Sequence, residues 1–444
     1  MKNTNALLSV RGLKKYFPLQ KRSLFQKERL FVKANNGVSL EIKKGETLSL
    51  VGESGSGKST LGRTLLQLYP PTEGEILYFG RSLFELCPKY LKNALANAEK
   101  HKRAYEKGKA ELLSKRIFGG LLLATAYDFK QGVALLSEGI KSEYSRTRWL
   151  EIEEKLELIK QKYAEREGFE DLEKERSDGI DLSLLSKRET AFLRKDLQII
   201  FQDPYSSLNP RMTVGQIIEE GVATHRYFKK GSKEMREHLL KTIEACGLQE
   251  YMLSRYPHQF SGGQRQRICI ARAFAVKPKF VVCDECVSAL DLSVQSQILN
   301  LLTELKEKEG LTYLFISHDL SVVRYLSDRI GVMYLGRIVE LGETEEIFKN
   351  PRHPYTIALL SAIPSLDQKK KEKILLEGSI PSNVHLPKGC PFHTRCFMAQ
   401  ECCQRIPPPV VEVKNGHFVA CHFAEKPTLE KRKLAFSKTE EKRE

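Results

Sequence analysis

The stretch that decides the fold is Gly52-Glu53-Ser54-Gly55-Ser56-Gly57-Lys58-Ser59. It follows the apolar segment Thr47 to Val51 and precedes a segment of helical character that starts at Thr60. A strand, a glycine-rich turn and a helix in this order form a phosphate-binding loop, because backbone N–H groups and the helix N-terminus attract anions. We expect Lys58 to reach the β- and γ-phosphates of a nucleotide and Ser59 to ligate Mg²⁺. The residues expected to contact the nucleotide here are Gly52, Ser54, Gly55, Ser56, Gly57, Lys58, Ser59 and Thr60.

A second apolar run, Phe280 to Cys283, ends in the two acids Asp284 and Glu285. This pattern is typical of a buried parallel strand whose carboxyl end reaches a site. We expect Asp284 to hold Mg²⁺ through its ligand shell and Glu285 to orient or deprotonate an attacking water. Many strands end in acids, so the pair indicates nucleotide hydrolysis only in combination with the phosphate-binding loop.

The segment Ser261-Gly262-Gly263-Gln264, which follows Phe260 and precedes a helical run, resembles the signature sequence of the ABC ATPases. The resemblance implies that two subunits sandwich two ATP molecules, with each signature segment capping the γ-phosphate held by the other subunit. A serine hydroxyl and glycine N–H groups at a helix start suit that task, because together they form an anion site.

Other landmarks of this family follow in the expected order. Gln202 resembles the loop glutamine that senses Mg²⁺ and the attacking water while touching the membrane subunit. Asp291 resembles the loop residue that communicates between the ATP sites, and His318 the histidine that contacts the γ-phosphate. Phe17, or in second place Tyr16, resembles the aromatic on which adenine stacks; a strand aromatic that serves only the core is the alternative.

The resemblance implies an α/β fold: an ABC-type P-loop ATPase core, an antiparallel β subdomain and a helical signature subdomain. A helical insertion and a small Cys-containing C-terminal region complete the expected architecture. The predicted ranges are 1–86 and 183–350 for a discontinuous ATPase domain, 87–182 for the charged helical insertion, 351–430 for the C-terminal region and 431–444 for a disordered tail.

Within the predicted insertion, Trp149, Ile152, Leu156, Ile159 and Tyr163 recur at spacings of three and four residues. These spacings place the side chains on one face of a helix, which needs an apolar partner. The favoured interpretation is a helical hairpin that packs on itself; a docking surface for another protein is the alternative.

The composition is that of a globular protein: 444 residues, 41% hydrophobic and 29% charged, with a formal net charge of +16. The sequence has no apolar run of the roughly 18 residues that a membrane span requires and no secretory signal pattern, which predicts a cytosolic location. The charge would suit nucleic acid, acidic lipid or phosphorylated ligands. Because the basic residues are dispersed and no nucleic-acid-binding module accompanies them, nucleic acid is not expected as a partner.

Two longer stretches, 201–214 and 350–356, are similar to the ATPases of oligopeptide and dipeptide importers. The first looks more like the second of the two ATPases that such importers carry. This resemblance implies a heterodimer with a sister ATPase, or a homodimer, together with two membrane permeases and an extracytoplasmic peptide-binding protein. It also implies a place at the cytoplasmic face of the membrane. Nickel and glutathione importers share this branch, so the cargo stays open.

The C-terminal region contains four cysteines that match a pattern of this branch, Cys390, Cys396, Cys403 and Cys421, with Cys402 as a spare. The resemblance implies an iron–sulfur cluster, a [4Fe-4S] cluster, for some members. Four thiolates suit such a cluster or Zn²⁺, and reduced thiols without metal are the third alternative.

The chain departs from the family pattern at Cys286, where proline usually follows the catalytic acids. With the insertion, this departure is the only hint of a regulatory scaffold that binds ATP without turning it over. A further rival is a soluble ABC ATPase that acts on ribosomes or nucleic acid. Ribosomal members usually carry two ATPase halves, whereas this chain has one phosphate-binding loop and one signature.

Overall fold

The computed structural model describes residues 5–20, 29–141, 146–363 and 374–425, and the predicted tail 431–444 lies outside these ranges. The chain divides into two compact units. The first combines Met1–Glu75 with Phe192–Glu444, and the second is Ile76–Ala191. The second unit contains the whole of the predicted insertion and extends beyond 87–182 on both sides.

The strands are, in chain order, β1 (Ala6–Pro18), β2 (Phe31–Lys43), β3 (Thr47–Val51), β4 (Glu73–Tyr78), β5 (Ile180–Asp181), β6 (Leu197–Ile200), β7 (Phe280–Asp284), β8 (Thr312–Ile316), β9 (Arg329–Tyr334), β10 (Arg337–Glu343), β11 (Val410–Lys414) and β12 (His417–Ala420).

The α-helices are α1 (Lys58–Leu65), α2 (Leu83–Leu86), α3 (Lys89–Ala96), α4 (Ala98–Glu106), α5 (Leu112–Phe118), α6 (Ala126–Lys141), α7 (Arg146–Gln161), α8 (Phe169–Glu175), α9 (Lys187–Leu193), α10 (Pro204–Ser207), α11 (Val214–Thr224), α12 (Lys233–Ala245), α13 (Gly262–Phe274), α14 (Leu292–Glu309), α15 (Leu320–Leu326), α16 (Thr344–Lys349), α17 (Pro354–Ser361) and α18 (Glu401–Arg405). Short 3₁₀ turns cover Gly119–Leu123, Leu182–Leu184, Glu250–Ser254, Pro257–Gln259 and His393–Arg395.

A mixed sheet forms the centre of the first unit, in the order β11-β12-β10-β9-β3-β8-β7-β6. The strands from β6 to β9 in this order pair in parallel, and β10, β12 and β11 add antiparallel strands at the other edge. Every residue of β3, β7 and β8 is buried, as expected for parallel strands covered on both faces. The carboxyl ends of β3, β6, β7 and β8 therefore meet at one edge, and the segments that follow them can form one site.

Helix α1 packs closely over this sheet because of a glycine at its centre. A Cβ atom at Gly62 would lie 2.8 Å from Val282 Cγ1 and 3.2 Å from Ile316 Cδ1. Any larger side chain would push the helix away from β7 and β8, and the phosphate-binding loop at the start of the helix would move with it.

The remaining parts of the first unit agree with the predicted ABC fold. Strands β1 and β2 pair in antiparallel over their length and form the β subdomain, beside which β4 begins. Helices α11 and α12 contact α13 and build the helical subdomain around buried residues such as Ile218, Ile243 and Ile268. In the described ranges, none of the helices is long and apolar enough to span a bilayer.

The second unit is helical, apart from the short antiparallel pairing of β4 with β5. The five residues of the predicted apolar stripe are all buried, although Tyr163 lies just beyond the end of α7. Trp149 stacks on Phe84 with 3.8 Å between the ring centroids, and a Cβ atom at Gly139 of α6 would lie 2.5 Å from the Trp149 ring. The stripe therefore packs against residues of its own unit, which agrees with the hairpin interpretation.

Candidate active site

The phosphate-binding loop joins β3 to α1, and two of its glycines occupy positions that no other residue fits. Gly52 has a φ of 148°, and a Cβ atom there would lie 2.2 Å from the carbonyl oxygen of Met333. Gly57, at the N-cap of α1, has a φ of 99°, and its Cβ would lie 2.1 Å from the carbonyl oxygen of Ala34. Both the backbone conformation and the close approach therefore demand glycine.

We expect Gly57→Ala to lower the free energy of unfolding by about 2–4 kcal/mol, because it adds a clash with the backbone to an unfavourable φ. Gly45→Ala is the matched control: Gly45 has a φ of 75°, but a Cβ there would meet nothing within 4 Å. We expect the control to cost about 1 kcal/mol. Denaturant unfolding of both variants measures the difference; equal losses would contradict the proposed clash.

Lys58 lies inside the curve of this loop and is 5% exposed. Its Nζ donates to the Gly52 carbonyl oxygen at 2.7 Å, to the Glu53 carbonyl oxygen at 3.1 Å and to Ser56 Oγ at 3.3 Å. Burial lowers the pKa of Lys58, and the carboxylates of Glu285, Asp284 and Glu53 act in the opposite direction. The ammonium group is thus held where phosphate oxygens of a bound nucleotide would compensate its desolvation.

The other loop residues differ in exposure. Ser54 and Gly55 are exposed at the tip, whereas Ser56 is buried and Thr60 is partly buried in α1. The tip therefore presents its backbone to solvent, as a loop that receives phosphates must.

The acid pair at the end of β7 splits between two environments. Asp284 is 2% exposed; its Oδ1 accepts from Ser59 Oγ at 2.6 Å and its Oδ2 from Arg63 Nη2 at 3.3 Å. Glu285 has a φ of 49°, and its backbone N–H donates to the Ile316 carbonyl oxygen at 3.0 Å. The left-handed turn redirects the chain after Asp284, so the two carboxylates serve different neighbours.

Two other predicted residues, Gln202 and His318, approach the Glu285 carboxylate. Gln202 Nε2 donates to Glu285 Oε2 at 2.8 Å, and His318 Nδ1 lies 3.7 Å from the same oxygen. These side chains follow β6, β7 and β8, whose carboxyl ends share one edge of the sheet. A carboxylate held by an amide beside a loop that binds phosphates can orient and deprotonate a water.

The signature segment caps α13. Ser261 Oγ accepts from the Gln264 N–H at 3.4 Å, and the Ser261 N–H donates to Gln264 Oε1 at 3.1 Å, which completes a capping box. A Cβ atom at Gly263 would lie 2.4 Å from Val294 Cγ1, whereas Gly262 is free of such a clash. Within the described residues, neither hydrogen bond nor ion pair links the segment to the phosphate-binding loop of the same chain.

Asp291 caps the helix that packs beside the signature. Its Oδ1 accepts from the Val294 N–H at 3.0 Å, and it is exposed at the start of α14. Since Val294 is also the residue that contacts Gly263, the position of Asp291 is tied to that of the signature.

The aromatic residue predicted to stack on adenine packs within its own chain. The Phe17 ring meets the Tyr69 ring edge-on at 5.3 Å, and Lys15 Nζ lies 4.8 Å from the Phe17 centroid. Tyr16 donates its hydroxyl to Asn36 Oδ1 at 2.6 Å. Phe17 as a whole is partly buried.

The four cysteines are free thiols in the C-terminal part of the first unit. Burial raises the pKa of all four, to about 12 for Cys396 and about 11 for Cys421. Neighbouring thiols contribute: Cys390, Cys403 and Cys421 all raise the pKa of Cys396. Their chemistry suits an iron–sulfur cluster or Zn²⁺. However, in the part of the chain that the structure describes, no three His, Cys, Asp or Glu side chains are grouped so as to hold a metal ion.

Two contacts at this site, made by Arg63 and by Arg395, are absent from the predictions made from the sequence. Arg63 lies four residues after Ser59, on the same face of α1, so helical spacing predicts that both reach Asp284. Arg395 pairs with Glu53 of the phosphate-binding loop, and this contact has no local signal because 342 positions separate the two residues.

Comparisons with known proteins show the family to which the chain is similar. The family profile described as ABC transporter matches residues 35–110 and 155–288, and the one described as oligopeptide/dipeptide transporter, C-terminal region, matches residues 339–403. The oligopeptide transport ATP-binding protein AppF of Bacillus subtilis (strain 168) is 39% identical over 424 residues, covering 95% of this chain and 98% of the relative. The dipeptide transport ATP-binding protein DppF of Haemophilus influenzae is 38% identical over 422 residues, with 95% and 98% covered. A solved dimeric bacterial ABC transporter cassette is similar with a TM-score of 0.47 and 22% identity, covering 76% of this chain and 98% of that one.

Proposed function

Since the chain belongs to the ABC transporter ATP-binding proteins, in the oligopeptide and dipeptide transport family, we propose that its ATP hydrolysis powers the import of oligopeptides or dipeptides. The main observation in support of a peptide cargo is the 39% identity to an oligopeptide transport ATP-binding protein over 95% of the chain. The C-terminal match at 339–403 supports the same branch.

In the proposed reaction, water attacks the γ-phosphate in line with the leaving group. Lys58, held inside the loop, binds the β- and γ-phosphates, while Glu285 takes a proton from the water that Gln202 and His318 help to position. Phe17 would stack on the adenine.

Mg²⁺ fits the pair Ser59 and Asp284, because a hydroxyl and a buried carboxylate already lie 2.6 Å apart at the edge of the loop. Gln202 would complete the set. The ion, when bound, supplies positive charge that offsets the charge developing on the phosphate oxygens.

We propose an active unit of two ATPase subunits, as the resemblance of Ser261–Gln264 to the ABC signature implies. It is compatible with the described residues, in which no hydrogen bond joins this segment to the phosphate-binding loop of the same chain. Ser261, Gly262, Gly263 and Gln264 would contact the γ-phosphate held by a sister ATPase, or by a second copy of this chain. Asp291 would lie between the two ATP sites. Gln202 would pass the hydrolytic state to two membrane permeases at the cytoplasmic face, which receive the peptide from an extracytoplasmic binding protein.

Purification of the tagged chain from detergent-solubilised membranes tests this proposal. We expect a second ATPase and two permeases to co-purify, and vesicles reconstituted from them to take up labelled dipeptide or oligopeptide only with ATP. Uptake of nickel or glutathione in place of peptide would show that the cargo is a different one from the same branch of importers. Co-purification with ribosomes instead of permeases would refute the transport function.

We also propose the four C-terminal cysteines as an iron–sulfur site, supported by their donor chemistry alone, since the described structure does not group three of them around one metal position. The side chains would have to move closer together on loading. We expect anaerobically purified protein to be brown, with about four iron atoms per chain, and Cys396→Ser to lose the iron. Cys402→Ser is the control, since Cys402 is the spare thiol and should keep it. A colourless, iron-free preparation would count against the site.

A further inference from the structure

Residues from the C-terminal part of the chain form hydrogen bonds and an ion pair with the phosphate-binding loop. The Glu53 N–H donates to the Tyr355 hydroxyl at 2.8 Å. The Glu53 carboxylate accepts hydrogen bonds from both Nη atoms of Arg395, at 2.7 and 3.0 Å. Asn383 Nδ2 donates to the Gly55 carbonyl oxygen at 2.9 Å. Three separate segments therefore fix two residues of the phosphate-binding loop.

The side chains that make these contacts are themselves firmly placed. The Arg395 side chain is 7% exposed, and Tyr355 is fully buried. Phe392, three residues before Arg395, packs on Tyr334 and Tyr355, with ring centroids 5.2 and 5.3 Å apart. Aromatic packing fixes the segment that contains Arg395. The ion pair with Arg395 therefore holds Glu53 in a defined position.

The charge of Glu53 explains why the loop needs this partner. A carboxylate in a phosphate-binding loop repels the anion that the loop has to bind, and Glu53 is close enough to act on the charge of Lys58. A bidentate guanidinium neutralises the carboxylate and fixes its orientation through two hydrogen bonds. The hydrogen bond with Glu53 raises the pKa of Arg395, so the guanidinium stays charged.

We propose that Arg395 is a positioning residue for nucleotide binding: by neutralising Glu53, and together with Tyr355 and Asn383, it sets the affinity of the phosphate-binding loop for ATP. The proposal rests on the ATP-binding function of that loop. It gives the C-terminal region a direct influence on the ATP site, through contacts that do not touch the nucleotide.

The test measures the Kd for MgATP with the full-length chain, and KM and kcat in the assembled complex. We expect Arg395→Ala to raise Kd and KM about tenfold while kcat changes less than about twofold, because the unpaired carboxylate opposes binding more than chemistry. Arg395→Lys keeps the charge but loses the bidentate geometry, and should stay within about threefold of the unchanged chain.

The pairing itself is tested in a double-mutant cycle. In a Glu53→Gln background there is no carboxylate left to repel phosphate, so Arg395→Ala should weaken binding by less than about threefold. Arg324→Ala is the matched control, because Arg324 also makes a bidentate pair, with Glu345 at 3.2 and 3.4 Å, but on an exposed surface. It should leave the Kd unchanged.

The outcomes separate this proposal from the proposed function. If the unchanged chain binds ATP and Arg395→Ala binds it equally well, or loses the same factor in both backgrounds, the positioning role is overturned and the transport function stands. If the unchanged chain binds no ATP, both are overturned. Should Arg395→Ala fail to fold, Tyr355→Phe decides, because it removes only the hydroxyl that holds Glu53; we expect binding about threefold weaker. Unchanged binding in Tyr355→Phe would refute the proposal.

Discussion

Glu285→Gln is expected to bind ATP with an affinity within about twofold of the unchanged chain, and to slow turnover by at least about a hundredfold. The amide keeps the size of the carboxylate and can still accept a hydrogen bond from Gln202 Nε2, which lies 2.8 Å from Glu285 Oε2. It cannot take a proton from water, so the general base is lost while the phosphate-binding loop is unaffected. Nucleotide binding and phosphate release by the assembled complex measure the two quantities separately.

Glu304→Gln controls for the loss of a carboxylate elsewhere in the same unit. Glu304 lies on α14, is exposed and pairs only weakly with Lys308, at 3.5 Å, so binding and turnover should both stay unchanged. A near-normal hydrolysis rate in Glu285→Gln would reject the role of Glu285 as the base. A loss of ATP binding in the same variant would mean that this carboxylate supports the loop instead.

Lys58→Ala should weaken ATP binding by at least about a hundredfold, an effect comparable to losing a buried charged contact of about 3 kcal/mol. The ammonium group lies inside the curve of the loop, within 3.3 Å of three loop oxygens, where we expect it to contact the phosphates. Without it, the same loop offers only backbone N–H groups to the triphosphate. Titration with MgATP measures the change.

Lys160→Ala is the matched control, since Lys160 is also buried and paired, with Glu157 and Glu173 both at 3.1 Å, but lies in the second unit. This control should lower the melting temperature and leave the affinity for ATP as it is. If both variants lose binding to the same extent, the loss reflects unfolding and gives Lys58 no special role.

The sequence indicates most of the candidate ATP site because its residues lie next to elements with strong local patterns. Thr47 to Val51 is a strand at the predicted positions, and the glycines after it occupy conformations that only glycine adopts readily. Glu285 and His318 follow apolar strands, and parallel strands bring their ends together whatever lies between them in the chain.

Contacts between distant segments are where sequence analysis fails. Arg395 meets Glu53 because the C-terminal segment packs on Tyr334, and no spacing or composition near either residue indicates that. Strands β11 and β12 were not predicted either: they extend the sheet through the pairing of Val419 with Glu340, and short strands of this kind owe their existence to the edge they join.

The antiparallel pairing of β4 with β5 places Tyr78 opposite Ile180 and Leu77 opposite Asp181. The pairing therefore brings the two ends of the intervening segment, about 100 residues long, next to each other and closes it into a loop. The entropy of closing such a loop grows only slowly with its length. A change in the length of this segment therefore alters the closure entropy only slightly, while the register of β4 and β5 stays the same.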